Sequence, residues 1–185
     1  MHYRCLKKKK FNSKNFQIIS IKEVHMESIR KWRNSQIDIL RQSKIITQKE
    51  QKDYYQKIIL PEMKNIKPND ILLSYTYNDK LIGYGGLTNI SWLNKRCELS
   101  FLIDTKIITN LKKYEYYFIN FLKIIKKISF NELKFIKIYT ETFSYRNHHI
   151  SVLEKMNFNY DGLLKDHYII RGKKISSVIH SCLKN

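Results

Sequence analysis

Between Leu111 and Ile128 the large residues Leu111, Tyr114, Phe118, Phe121, Ile125 and Ile128 recur every three or four positions, whereas the block before them follows a different pattern. The first pattern is one face of a long helix that must be covered by something flat. The second supplies the flat surface. Ile71 to Tyr77 reads as a strand, Asn78-Asp79 as a turn and Leu81 to Trp92 as the returning strand. Asn94-Lys95-Arg96 makes the next turn. The strand from Cys97 to Ile103 is almost continuously apolar, as a sheet centre requires. A helix of this length laid on such a block makes the chain α/β.

The flanks extend the pattern. Gln17 to Ile21 alternates weakly as a first strand, and Lys22 to Asn34 turns helical, with Val24, Ser28, Ile29 and Trp32 on one side. Thr47 and Glu50 form a capping box for a second helix, which Pro61 helps to end. After the long helix come a strand at Phe135 to Thr142 and a short helix at Arg146 to Met156. Two strands, Phe158 to Ile170 and Lys174 to Leu183, pair across Arg171-Gly172. The expected domain is a mixed, mostly antiparallel sheet of about seven strands flanked by about four helices. Gly83, Gly85 and Gly86 fall in one strand, marking either a bulge or a close approach of a ligand to backbone.

Charge bounds the partners. The chain has 35 Lys and Arg against 16 Asp and Glu, a net charge of +19. Alanine is absent and valine occurs three times, so A/T-rich codons account for the preference for lysine over arginine. They do not account for the shortage of acid. The remaining positive field suits a polyanion: a nucleotide-bearing cofactor, a nucleotide-linked substrate, or RNA as a less favoured partner. Residues 1–16, with the run Lys7 to Lys10, read as a mobile basic tail preceding a single domain at residues 17–185. The apolar runs are too short to span a bilayer, and the first residues lack the apolar core of a secretory signal, so a cytoplasmic location is expected. Cys5, Cys97 and Cys182 lack metal-ligand spacing, so no metal site is expected.

The element order resembles the GNAT superfamily of N-acetyltransferases, and local motifs agree. Lys31-Trp32-Arg33-Asn34 closes the first helix, Cys97-Glu98-Leu99-Ser100-Phe101 lies in the central strand, and Val152-Leu153-Glu154-Lys155-Met156-Asn157-Phe158 is similar to the family's "LLEKLGF". Asp161-Gly162-Leu163-Leu164-Lys165 resembles the "EGxLR" found in the branch with ribosomal-protein N-terminal, spermidine and nucleotide-sugar acetyltransferases. The resemblance spans roughly Ile18 to Leu183. Two departures stand out. The family's glycine-bearing pyrophosphate loop is replaced by Thr105 to Lys112, which has no glycine, and Arg146 stands where relatives often have asparagine.

The resemblance implies an acetyl-CoA-dependent transfer to a primary amine, with the cofactor arm held where two central strands splay. It assigns the cofactor to Ser100, Phe101, Leu102, Ile103, Lys106, Asn110, Leu111, Lys112, Arg146 and Asn147. A backbone N–H near Ser100 or Phe101 would polarise the thioester carbonyl. Glu98 is the first candidate for general base, its alternative role being an ion pair with Arg96 or a lysine, and Glu141 is the second. His148 and His149 are further proton carriers. On the acceptor side stand Trp32, Arg33, Asn34, Arg41, Gln42, Tyr84 and Tyr168. An aromatic ring with two guanidiniums suits a flat, anionic acceptor such as a nucleotide-linked amino sugar. Spermidine would need carboxylates, which are scarce in the stretch from Trp32 to Gln42. Acetylation of a protein N-terminus or of aminoacyl-tRNA, and a non-catalytic cofactor-binding module, are the alternatives.

Overall fold

The structure is a computed structural model and describes residues 1–184. Its centre is one eight-stranded sheet in the order β1-β2-β3-β4-β5-β6-β8-β7. The strands are β1 (Lys10–Ser13), β2 (Phe16–Ser20), β3 (Ile71–Tyr77), β4 (Lys80–Ser91), β5 (Arg96–Ile103), β6 (Lys137–Phe143), β7 (Asn159–Ile170) and β8 (Lys173–Leu183). Every pairing is antiparallel except β5 with β6. Helices α1 (Met26–Ser35), α2 (Gln48–Tyr54) and α3 (Leu60–Lys64) precede β3. Helices α4 (Thr105–Ile108) and α5 (Leu111–Lys126) follow β5, and α6 (Asn147–Lys155) follows β6. None of the described helices is long and apolar enough to cross a membrane.

The long stripe behaves as its spacing requires from Tyr114 onward, whereas Leu111, in the first turn of α5, is exposed. Tyr114, Phe118, Phe121 and Ile125 are buried, and Lys112, Lys113 and Lys123 face outward. Phe118 stacks on Phe101 of β5 at 4.5 Å, and Phe121 meets Tyr75 of β3 edge-on at 5.3 Å. Each such ring contributes about 2 kcal/mol by leaving water, so this face anchors α5 to the centre of the sheet. The glycines of β4 belong to the same packing. A Cβ on Gly85 would lie 2.2 Å from the Ser100 carbonyl oxygen and 2.9 Å from Phe121, and one on Gly86 would lie 1.9 Å from the Ile71 oxygen. Of the two readings of these glycines, the bulge holds beside Gly83, where the β3–β4 register shifts, and the groups that crowd Gly85 and Gly86 are the neighbouring strands.

Four expectations change. The basic N-terminal stretch is not a free tail: Tyr3 and Leu6 are buried, the Tyr3 hydroxyl accepts from Leu72 N–H at 2.8 Å, and β1 adds an eighth strand. One aromatic anchor outweighs the local charge because Lys7 to Lys10 all point outward, while the Lys7 and Lys8 N–H groups donate to Glu132. Pro61 does not end its helix. A π-helical turn at Tyr55–Ile59 absorbs the missing donor, with Leu60 N–H bonded to the Tyr55 carbonyl, and the chain continues as α3 to Lys64. Val24 is 81% exposed, and Met26, Ile29 and Trp32 carry the buried face of α1. The strand placed at Phe135 to Thr142 starts later, at Lys137.

Two local features shape the centre of the sheet. The β4–β5 register slips between Thr88 and Ser91, leaving two β4 residues, Asn89 and Ile90, opposite Cys97 alone. Asn89 takes a left-handed φ of 48° in this bulge. Strands β5 and β6 pair only from Arg96 to Glu98 and from Lys137 to Tyr139. Beyond that point they separate.

Candidate active site

The separation leaves the β6-facing edge of β5 from Leu99 to Ile103 without a strand partner, and at its end the Ile103 carbonyl accepts instead from the Gln36 side-chain amide at 2.8 Å. Two clefts meet there. One, of about 280 Å³, runs along Phe101, Leu102 and Ile103 to the N-termini of α5 and α6, where Leu111, Asn147 and His148 form its wall. The other, of about 310 Å³, opens on the α1–α2 side and is lined by Arg41, Asp70, Asn89, Glu98, Ser100 and Glu141 among others. Ile39, Phe101, Arg146 and His149 belong to both walls, so the clefts are continuous.

The narrower cleft suits an elongated, phosphate-bearing cofactor. An unpaired strand edge can bind an amide-containing arm, and two helix N-termini present free N–H groups. Arg146, the N-cap of α6, makes no side-chain cap bond and turns its guanidinium toward Tyr114 and the cleft. The structure brings Phe101, Leu102, Ile103, Leu111, Arg146 and Asn147 together on this wall. It places Ser100 on the wall of the second cleft, and Lys106, Asn110 and Lys112 off both walls and exposed. Asn110 instead caps α5, accepting from Lys113 N–H at 3.0 Å. The glycine-free loop is itself helical: Asp104 caps the single turn α4 through Lys106 N–H.

Beneath the junction, the Tyr114 hydroxyl and His149 Nδ1 are 2.6 Å apart, and the His149 ring stacks on Phe118. Burial, then the positive charge of Arg146, push the His149 pKa well below the ordinary histidine value, so the ring is neutral. Burial raises Tyr114 to about 12. Its spacing marked Tyr114 as core, and no sequence signal distinguishes a core tyrosine that also reaches a histidine.

The wider cleft holds a charged chain. Glu98 is 3% exposed; its Oε1 accepts from Arg41 and its Oε2 from the Asn89 side-chain amide at 2.6 Å. Arg41 also donates to Glu141 Oε2 at 3.1 Å, and Ser177 donates to Glu141 Oε1 at 2.6 Å. Tyr168 stands against both Arg41 and Glu141. Burial disfavours the Arg41 charge, yet the neighbouring Glu98 outweighs that cost and raises its pKa. The two glutamates singled out in the sequence therefore share one site, and the partner of Glu98 is Arg41 rather than Arg96 or a lysine. Neither Asn89 nor Asp70 stands out in the sequence. Asn89 reaches Glu98 only because of the bulge, which the sequence marks no more clearly than any turn-forming asparagine.

The remaining acceptor-side residues divide. Trp32 is 8% exposed and belongs to the core. Arg33 donates to Gln42 Oε1 at 3.0 Å and to the Tyr84 hydroxyl at 2.7 Å. Asn34 exchanges bonds with Ile46 N–H and C=O, and Gln42 donates to Asn34. Asn34 and Gln42 thus hold the loop between α1 and α2, and that loop delivers Arg41 across the splay. A further cavity of about 400 Å³, lined by Arg33, Tyr54 and Tyr84, adjoins the wider cleft through Arg33, Thr88 and Ser100.

Comparison with known proteins gives a consistent picture. The family described as "Acetyltransferase (GNAT) domain" matches residues 18–179. No curated protein matches the sequence. Among solved structures, the spermidine N-acetyltransferase from Vibrio cholerae, crystallised with CoA and spermine, is similar with a TM-score of 0.78 at 16% identity, over 92% of this chain and 96% of that one. A protein named in its crystal structure as a probable acetyltransferase is similar with a TM-score of 0.73 at 16% identity, over 95% and 97% of the two chains. At such identity the likeness is one of fold.

Proposed function

Because the chain belongs to the GNAT acetyltransferase family, we propose that it is an acetyl-CoA-dependent N-acetyltransferase whose acceptor is a primary amine on an anionic, flat molecule, a nucleotide-linked amino sugar being the preferred class. Acetyl-CoA supplies the activated thioester when bound. The free edge of β5 and the N-termini of α5 and α6 hold its arm and phosphates, and Arg146 sits where both clefts meet. The backbone of β5 near Ser100 and Phe101 offers fixed donors for the carbonyl oxygen. The acceptor enters from the α1–α2 side.

One observation carries the choice of acceptor. Arg41 pairs with both Glu98 and Glu141, and the guanidiniums of Arg33, Arg41 and Arg146 match in number the carboxylates of Asp70, Glu98 and Glu141 on this wall. A polyamine needs several carboxylates without counter-ions, and the wider cleft retains one, Asp70, among its described residues. Arg33 and Arg146, on the same wall, favour an anionic group. The cavity beyond Arg33, faced by Tyr54 and Tyr84, has room for a planar ring. The charge pattern thus weighs toward an acceptor with one cationic end.

The test is a competition: labelled acetyl-CoA with equal concentrations of nucleotide-linked amino sugars, spermidine and short peptides. Label should enter the amino-sugar fraction first. Preferential labelling of spermidine would overturn the acceptor assignment and leave acetyl transfer intact.

A further inference from the structure

Three carboxylates line the wider cleft: Asp70, Glu98 and Glu141. They differ in what their oxygens already do. Arg41 and Asn89 take the two oxygens of Glu98, and Arg41 and Ser177 take those of Glu141. Asp70 accepts one bond, from Asn89 N–H to Oδ1 at 3.1 Å. Its Oδ2 has no hydrogen-bond partner and no cation within reach among the described residues.

Position supports the contrast. Asp70 immediately precedes β3, where Ile71 pairs with Leu87, and Thr88 pairs with Glu98. Asp70, Thr88 and Glu98 therefore form a row across three strands, and all three line the cleft on the acceptor side. The bulge at Asn89 ties the row together, its backbone to Asp70 and its side chain to Glu98.

We propose that Asp70 is a catalytic residue of the amine acetylation: Oδ2 binds the acceptor ammonium and accepts its proton, while Glu98 and Glu141 keep Arg41 in place. Before attack the ammonium gives one proton to Asp70. The freed lone pair then forms the bond to the acetyl carbon as the carbon–sulfur bond breaks. The nitrogen's second proton passes through water to the departing sulfur, and Asp70 returns its proton to solvent. The groups facing Asp70 agree with this role. Tyr3, Tyr54, Glu62 and Glu98 bear on it without bringing positive charge, and Arg33 and Arg41 line the same cleft but pair with other groups. Burial lifts the Asp70 carboxyl above the ordinary aspartate value, only the Asn89 N–H opposes this, and Glu62 and Glu98 lift it further. A carboxyl raised in this way is a better base near neutrality than one clamped by a guanidinium.

The inference rests on amine acetylation in this cleft but not on the acceptor class, so its test uses a generic hexosamine, glucosamine, as the probe. Two quantities are measured in the wild type, Asp70→Asn and Asp70→Glu: glucosamine affinity by calorimetry with CoA present, and turnover with acetyl-CoA against pH. Asp70→Asn should bind glucosamine at least tenfold more weakly and turn over on the order of a hundred times more slowly at pH 7, a usual size for losing a general base. Raising the pH should recover part of the rate, and Asp70→Glu should retain part of it. The KM for acetyl-CoA and the melting temperature should stay put or rise. A wild type that binds glucosamine through Asp70 yet transfers nothing would sink the acetylation reading and leave the ammonium role standing. Equal amine affinity in wild type and Asp70→Asn, or a rate within threefold across the pH range, would overturn the proposal.

Discussion

The Tyr114 hydroxyl and His149 Nδ1 share a 2.6 Å hydrogen bond directly under the junction of the two clefts. His149 is buried among Tyr114, Phe118 and Arg146, and its pKa lies well below the ordinary 6.5. The unfolded chain therefore takes up a proton near pH 6.5 that the folded protein refuses, and stability falls as the pH drops through that value. One such histidine gives a slope of up to about 1.4 kcal/mol per pH unit. Urea unfolding between pH 7.5 and 5.5 should show a shallower slope for His149→Gln than for the wild type. Parallel curves would mean that His149 is charged in the folded state.

Removing Arg41 should cost stability as well as activity. Glu98 would be left buried without a counter-ion, and the half-exposed Arg41 brings the expected loss for Arg41→Ala to about 2 kcal/mol, below that of a fully buried pair. Chemical denaturation of the wild type and Arg41→Ala checks this. Equal midpoints would show that Arg41 does not compensate these carboxylates.

Gly85→Ala separates a packing role from a ligand role for the β4 glycines. The added methyl would meet the Ser100 oxygen and the Phe121 ring, so we expect a loss of about 3 kcal/mol or failure to fold. A stable Gly85→Ala protein that bound CoA poorly would reverse this conclusion.

The contrast between these residues shows what the sequence made legible. The stripe from Leu111 to Ile128 and the Thr47–Glu50 box are local patterns, and local patterns survive folding. The pairing of Arg41 with Glu98 and Glu141 spans distant segments; the residue types were visible and their association was not. Trp32 was legible from its place beside Ile29 on one side of α1, and it is core; Val24, set on the same side, is exposed because α1 turns on Met26. Asp70 needed both the strand register and the bulge at Asn89 before it could be placed in the cleft.

For the cofactor, Arg146→Ala should weaken CoA binding about tenfold, or 1.4 kcal/mol, by calorimetry. A double Lys106→Glu, Lys112→Glu variant should lose less, since both side chains are exposed and off the cleft walls. The opposite order would move the phosphate site onto the α4–α5 loop and away from α6.

Acetyl transfer to an amine at the splay of β5 and β6 underlies every role assigned above. Its most direct measurement follows free thiol and acceptor mass together, with carbon-13-labelled acetyl-CoA and a panel of primary amines. We expect one thiol released for each labelled amide formed, with neither appearing when the amine is omitted. Thiol release without a labelled amide, or no release with any amine in the panel, would contradict it.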